Sequence, residues 1–171
     1  PTMSSRPKLP PADDWPQAVG LYQSLLRHFY ARNDTAKAAP LALRLLRALD
    51  RLDPKAKSLP GNEYRAVIAE VDGDYPSAVA YRVRELRMLD RLARSGQLPT
   101  VGLTWSDLAD RLDLLAIAYQ NAGQLDRAWA AIERSERLCT EHDLEFEGRA
   151  IKDSLARAIR RKEKLTPSAR G

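Results

Sequence analysis

The sequence predicts an all-α protein made of stacked helical hairpins, and three observations carry that prediction. The ten residues 43–52 (LRLLRALDRL) recur forty positions later at 83–92 (VRELRMLDRL), identical at seven of ten places. Self-similarity at a period of about 20–50 residues marks a repeat architecture. Matching positions extend upstream and into a third copy a further fifty residues on: Ala38, Ala78 and Ala128 correspond, as do Asn33, Gly73 and Gly123. Finally, the 171 residues are rich in Leu, Ala and Arg with only eight Gly and two Phe, a balance that favours helix.

Residues 1–12 hold four Pro and two Ser without periodicity, which predicts a disordered lead-in. Asp14 then caps a first helix carrying Leu21, Leu25, Leu26 and Phe29. After the Asn33-Asp34-Thr35 turn, a second helix runs to Leu52 on the apolar face Leu41, Leu45, Leu46, Leu49 and Leu52. Pro40 predicts that this helix starts late or bends, and Asp53-Pro54 stops it. Pro60 opens a third helix through Tyr64, Val67, Ile68 and Val71, which Gly73 ends. Asp74 caps a fourth, through Val79, Val83, Leu86, Leu89 and Leu92, and Ser95-Gly96 closes it. A loop over 96–103 leads to Thr104 and Asp107, spaced as a capping box with Asp in place of Glu. The fifth helix carries Leu108, Leu112, Leu115, Ala116 and Tyr119; beyond Gly123 the sixth carries Ala128, Trp129, Ile132 and Leu138. A seventh, over 143–164, is amphipathic through Leu144, Phe146, Ile151, Leu155 and Ile159, and 165–171 read as a frayed tail. The β-branched run at 67–71 has no alternating partner, so no strand is predicted.

The expected organisation is one domain over 13–164, with hairpins at about 14–53, 60–95 and 104–142 and a capping helix at 143–164. No apolar run approaches the ~18–20 residues of a membrane helix, and no signal peptide is visible. Single Cys139 excludes an internal disulfide framework and fits a reducing compartment, so a cytoplasmic location is expected. Net charge is +5, with both ends basic and residues 105–145 acidic, at four Lys/Arg against nine Asp/Glu.

The segment 115–138 (LAIAYQNAGQLDRAWAAIERSERL) resembles a tetratricopeptide repeat. Leu115 and Ala116 stand at the large and small positions of helix A, and Tyr119 at the aromatic. Gly123 stands in the turn, Ala128 at the small contact of helix B, and Ile132 at the bulky place after it. The middle copy keeps Ala66, Ala69, Gly73, Tyr75 and Ala78 but has Arg82 at the bulky place. The first keeps Leu25, Leu26, Phe29 and Ala38, with Ala42 at the bulky place. None has the family's closing Pro, and the forty- and fifty-residue offsets exceed its usual period. The resemblance implies a right-handed solenoid of three antiparallel hairpins plus a C-terminal cap, about seven helices in all.

Chemistry-bearing motifs are absent from the sequence: no phosphate loop, no GxSxG, no HExxH, no CxxC. Cys139, Glu141 and His142 lie within four residues, but a zinc site needs about four ligands and no second group exists, so neither metal nor cofactor is expected. The expectation is therefore a non-enzymatic adaptor that binds a protein or peptide segment, with homo-oligomerisation possible through open repeat ends. In the tetratricopeptide geometry the inward helix-A positions are Gln23, Arg27 and Tyr30, then Glu63, Val67 and Glu70, then Asp113, Ile117 and Gln120. This lining suits a guest carrying basic residues. The alternative is a nucleic-acid-associated protein using a basic ridge on the outer helix-B face: Arg44, Arg47 and Arg51, then Arg84, Arg87, Arg91 and Arg94. Asp90 at helix-supporting spacing from Arg94 is expected to neutralise part of that ridge, and stacking aromatics are missing from it.

Overall fold

Four helices in this chain end in the same way, and their shared ending organises the fold. In the computed structural model, residues 24–26, 28, 29, 34–52 and 59–165 are described, the side chains of 35 and 48–52 excepted. The helices are α1 (Thr35–Leu52), α2 (Leu59–Val71), α3 (Tyr75–Arg94), α4 (Trp105–Asn121), α5 (Leu125–Glu141) and α6 (Arg149–Leu165), with a 3-10 turn at Pro99–Val101. Residues 24–26, 28 and 29 are also helical. No strand occurs among the described residues. At the end of α2, Gly73 takes φ 73° and Asp74 N–H bonds the Ala69 carbonyl at 2.9 Å. At the end of α4, Gly123 takes φ 73° and Gln124 N–H bonds Tyr119 O at 2.8 Å. The left-handed residue turns the chain so that the next amide reaches back across the last turn and satisfies a carbonyl that would otherwise be orphaned. The ends of α3 and α5 repeat the bond, Gln97 to Leu92 and Leu144 to Cys139, both at 2.8 Å. Gly96 supplies the left-handed residue in one, and Asp143, at φ 53°, in the other.

The next helix starts immediately beyond each of the first two turns. Ala78 N–H bonds Asp74 O and Ala128 N–H bonds Gln124 O, both at 3.0 Å. Before α1 the same pair of bonds recurs, Asp34 to Phe29 at 2.9 Å and Ala38 to Asp34 at 3.0 Å. The three copies of the sequence repeat thus share one pair of backbone hydrogen bonds ahead of their second helices, and Ala38, Ala78 and Ala128 are all fully buried. The predicted caps also form: Asp74 accepts from Ser77 N–H at 3.2 Å, and Thr104 and Asp107 exchange both bonds of the capping box.

The chain divides into two compact units, Pro1–Lys57 and Ser58–Gly171. The first contains α1, whose buried face includes Ala38, Ala42 and Leu45. In the second, each helix from α2 to α6 packs on the next, and α4 also meets α6. Its apolar core gathers Leu86 and Leu89 of α3, Leu108, Leu112 and Leu115 of α4, Ile132 of α5 and Leu155 of α6.

Two expectations need correction. The helix α1 begins at Thr35 and holds Pro40 inside it, so of the two alternatives expected from Pro40 the late start is ruled out. The capping helix starts at Arg149 where the sequence suggested 143. Asp143 in the left-handed region ends α5, and Leu144 and Phe146 belong to the connection. Gly148 enters α6 so close to α5 that an added Cβ would lie 2.7 Å from Ile132 Cδ1 and from the Phe146 ring. The lead-in at 1–12, the cap at Asp14 and the tail at 166–171 lie outside the described residues. No helix among the described residues is long and apolar enough to cross a membrane.

Candidate functional site

The three repeat copies bury the same two places on their second helices but fill them with different chemistry. Ala42 and Leu45 occupy them in α1, Ile132 and Ser135 in α5, and Arg82 and Glu85 in α3, all buried. The middle copy therefore carries a guanidinium and a carboxylate, each 1% exposed, where its siblings carry mostly apolar side chains. A buried charge must find partners or be neutralised. Arg82 lies against Glu70 of α2, its Nε donating to Oε1 at 3.2 Å and its Nη2 to Oε2 at 3.4 Å. Its Nη1 donates to Glu85 Oε2 at 3.3 Å. On the other side Arg111 of α4 places Nε 2.7 Å from Glu85 Oε1, an ion pair outside hydrogen-bond geometry, and Nη2 3.1 Å from Glu63 Oε1. The chain Glu70–Arg82–Glu85–Arg111–Glu63 ties α2, α3 and α4 together. Burial nonetheless pushes the Glu85 carboxyl up, against the pull of Arg82 and Arg111, with Glu63 adding repulsion.

This network consumes much of the inner lining that the sequence suggested. Glu63 and Glu70 face arginines of their own unit, and Val67 is buried. Gln120 donates to Ser154 Oγ of α6 at 3.1 Å, and Ile117 is half-buried. Gln23, Arg27 and Tyr30 lie outside the described residues. The remaining lining residue is Asp113, half-buried midway along α4. Asp113 Oδ1 is buried there with no hydrogen-bond donor, beside Asp110 and Glu147. Burial pushes the Asp113 carboxyl up to about 6. The Ser135 hydroxyl offsets part of this, and Asp110 and Glu147 add to it. Ser135 Oγ also lies 3.2 Å from Ala109 O, and Asp113 Oδ1 itself has no hydrogen-bond donor. Burial, with these carboxylates, also raises the thiol of buried Cys139, which favours an unreactive, protonated sulfur.

On α3 the charges segregate. Arg84, Arg87, Arg91 and Arg94 are exposed, whereas the two acidic residues of the helix, Glu85 and Asp90, turn inward. Asp90 pairs with Arg134 of α5 at 2.5 Å and not with Arg94, which corrects the neutralisation expected from spacing. In α1, Arg44 is half-buried and Arg47 exposed, while the Arg51 side chain is outside those described. Trp105 stacks on His142 with ring centroids 3.9 Å apart, joining the start of α4 to the end of α5. Lys152 of α6 pairs with Glu136 and lies over the Trp129 ring at 5.6 Å. An open groove of about 520 Å³ runs along α5 and α6, lined by Trp129, Ala156 and Ile159 among charged side chains.

Glu85 and Arg111 are the members that sequence reasoning missed. The signal was present: the repeated block reads Leu45 in one copy and Glu85 in the other, three residues after the anomalous Arg82. Nothing in the sequence located Arg111, because its partners lie on two other helices. Among the described residues no group of three His, Cys, Asp or Glu is placed to hold a metal ion. Compared with protein-family models, curated proteins and solved structures, the chain matches none.

Proposed function

We propose that this chain is a non-enzymatic, tetratricopeptide-like scaffold, a right-handed stack of hairpins closed by α6 that binds a segment of another protein. The observation that carries the reading is the recurrence of one pair of turn hydrogen bonds, with buried Ala38, Ala78 and Ala128, in all three repeat copies. Repeats that share a turn and differ elsewhere suit recognition, since the fold survives while the surface varies. Single buried Cys139 fits a reducing, cytoplasmic setting.

The unpartnered carboxylate midway along α4 indicates the guest. A lysine or arginine placed between Asp113, Asp110 and Glu147 relieves their mutual repulsion and supplies the donor that Asp113 Oδ1 lacks. A basic segment is therefore the favoured guest. The test is selection of a randomised peptide library on the full chain, followed by calorimetry of the enriched peptides at pH 6 in buffers of different ionisation enthalpy. Basic peptides are expected to bind with proton release, because the incoming cation lowers the Asp113 carboxyl from about 6. An Asp113→Asn/Asp110→Asn variant is expected to lose that release and at least about 10-fold in affinity. Enrichment of neutral or acidic peptides, or affinity unchanged in the variant, would refute the reading.

A further inference from the structure

We infer that the exposed arginine row on α3 is a docking strip for the phosphate backbone of a nucleic acid, separate from the protein-binding role proposed above. The row is Arg84, Arg87, Arg91 and Arg94. With 3.6 residues per turn and 1.5 Å per residue, these four spread over an arc of about 80° and a length of about 15 Å. The steps between them are about 4.5 and 6 Å. A nucleic-acid strand presents one charge per about 3.4 Å of axis, so the row spans roughly four phosphates.

What singles this face out is the disposal of its carboxylates. Glu85 is held by Arg82 and Arg111 in the interior, and Asp90 by Arg134. Among the described residues none of the four outer arginines pairs with a carboxylate. They sit instead at like-charged spacings of three and four residues, which weakens a helix. Arg91 turns its Nε onto the Arg87 carbonyl at 3.4 Å, and Arg84 lies over the Tyr81 ring at 5.7 Å, so two of them run along the helix surface. A polyanion removes the repulsion and finds forked donors that bind phosphate oxygens two at a time, a geometry lysine lacks. The face has no stacking aromatic series, so recognition is of backbone and not of base.

The experiment is fluorescence anisotropy of the full chain with a labelled oligothymidine, at about 50 and 200 mM salt. Four phosphate contacts on a single strand predict a log–log slope near −2.8, an affinity loss of about 50-fold over that range. Arg84→Gln/Arg87→Gln/Arg91→Gln/Arg94→Gln, all at exposed positions, is expected to keep its helical circular dichroism and abolish binding. Arg157→Gln/Arg160→Gln/Arg161→Gln, on the basic end of α6, is expected to bind within about 3-fold of the parent. Retention of binding in the α3 variant, loss only in the α6 variant, or no binding at the lower salt overturns the proposal. So does capture by vesicles of anionic phospholipid in place of the oligonucleotide.

Discussion

Replacing the buried pair Arg82 and Glu85 by apolar residues is expected to cost far less than the sum of the two single replacements. At an effective dielectric near 20, the contacts of Glu85 with Arg82 at 3.3 Å and Arg111 at 2.7 Å are worth about 5 and 6 kcal/mol of gross attraction. Desolvation opposes this, and the upward displacement of the Glu85 carboxyl says which effect wins: burial outweighs both arginines. The ionised Glu85 carboxylate is therefore costly to bury even with both arginines beside it, and it depends on them. Arg82→Met leaves the Glu85 carboxylate, 1% exposed, with Arg111 alone. Glu85→Leu strips Arg111 and Arg82 of their shared acceptor. Each single change is expected to destabilise by about 3–5 kcal/mol. The double variant Arg82→Met/Glu85→Leu, similar in volume, still deprives Glu70 of Arg82 and is expected to cost about as much as one single change, roughly 3–5 kcal/mol. The assay is urea denaturation at pH 7, assembled into a double-mutant cycle with a coupling energy of roughly 4 kcal/mol. Losses that simply add would refute the reasoning, because they would mean that each side chain stabilises by its own packing.

The carboxyl of Asp113 provides a pH prediction. Its folded value of about 6 lies above the ordinary 3.8, so its favourable contribution is present below about pH 4 and is lost as pH rises through about 6. Discounted for partial exposure, the loss is on the order of 1–2 kcal/mol, and Asp113→Asn is expected to flatten that segment of a stability-versus-pH curve. At the end of α5, Asp143 occupies a left-handed position at φ 53° where three sibling turns have glycine. Asp143→Gly is accordingly expected to raise stability by about 0.5–1 kcal/mol, read as an increased urea midpoint with an unchanged slope. Gly148→Ala runs the other way: a Cβ at 2.7 Å from Ile132 Cδ1 and the Phe146 ring forces those side chains to repack and costs about 1–3 kcal/mol by the same measurement.

Local signals located most of the helices, and long-range pairing escaped them. Gly73, Gly96 and Gly123 end helices because only a residue tolerant of positive φ fits there, and that requirement is visible in one dimension. Thr104 and Asp107 declared a capping box for the same reason. The start of α6 was misplaced because Asp143 performs the turn that glycine performs elsewhere, and Leu144 and Phe146 mimic helical spacing inside a connection. The inner lining was harder still. Helical periodicity put Glu63 and Glu70 on one face but could not show that Arg111 and Arg82 would reach across to them. Asp90 chose Arg134, 44 residues away, over Arg94 on its own helix, since a pair at the largely buried Asp90 carboxylate is screened less than one in water.

That choice connects the buried network to the outer arginines. On α3, identical helical spacing delivers two populations of charge. Arg82, Glu85 and Asp90 lie on the buried side, where low polarisability makes partners obligatory. The remaining arginines lie in water, where single pairs are worth little and no partner is required. A carboxylate can satisfy only one side at a time, so every acid drawn into the interior is removed from the surface balance. The middle repeat exchanged Leu45-type packing for Glu85 and brought in Arg82 and Arg111 to hold it. With Asp90 also spent on Arg134, no carboxylate of α3 remains to shield Arg84, Arg87, Arg91 and Arg94. The basic face is thus a consequence of how the core is wired, and its charge persists as long as Glu85 and Asp90 keep their inward partners.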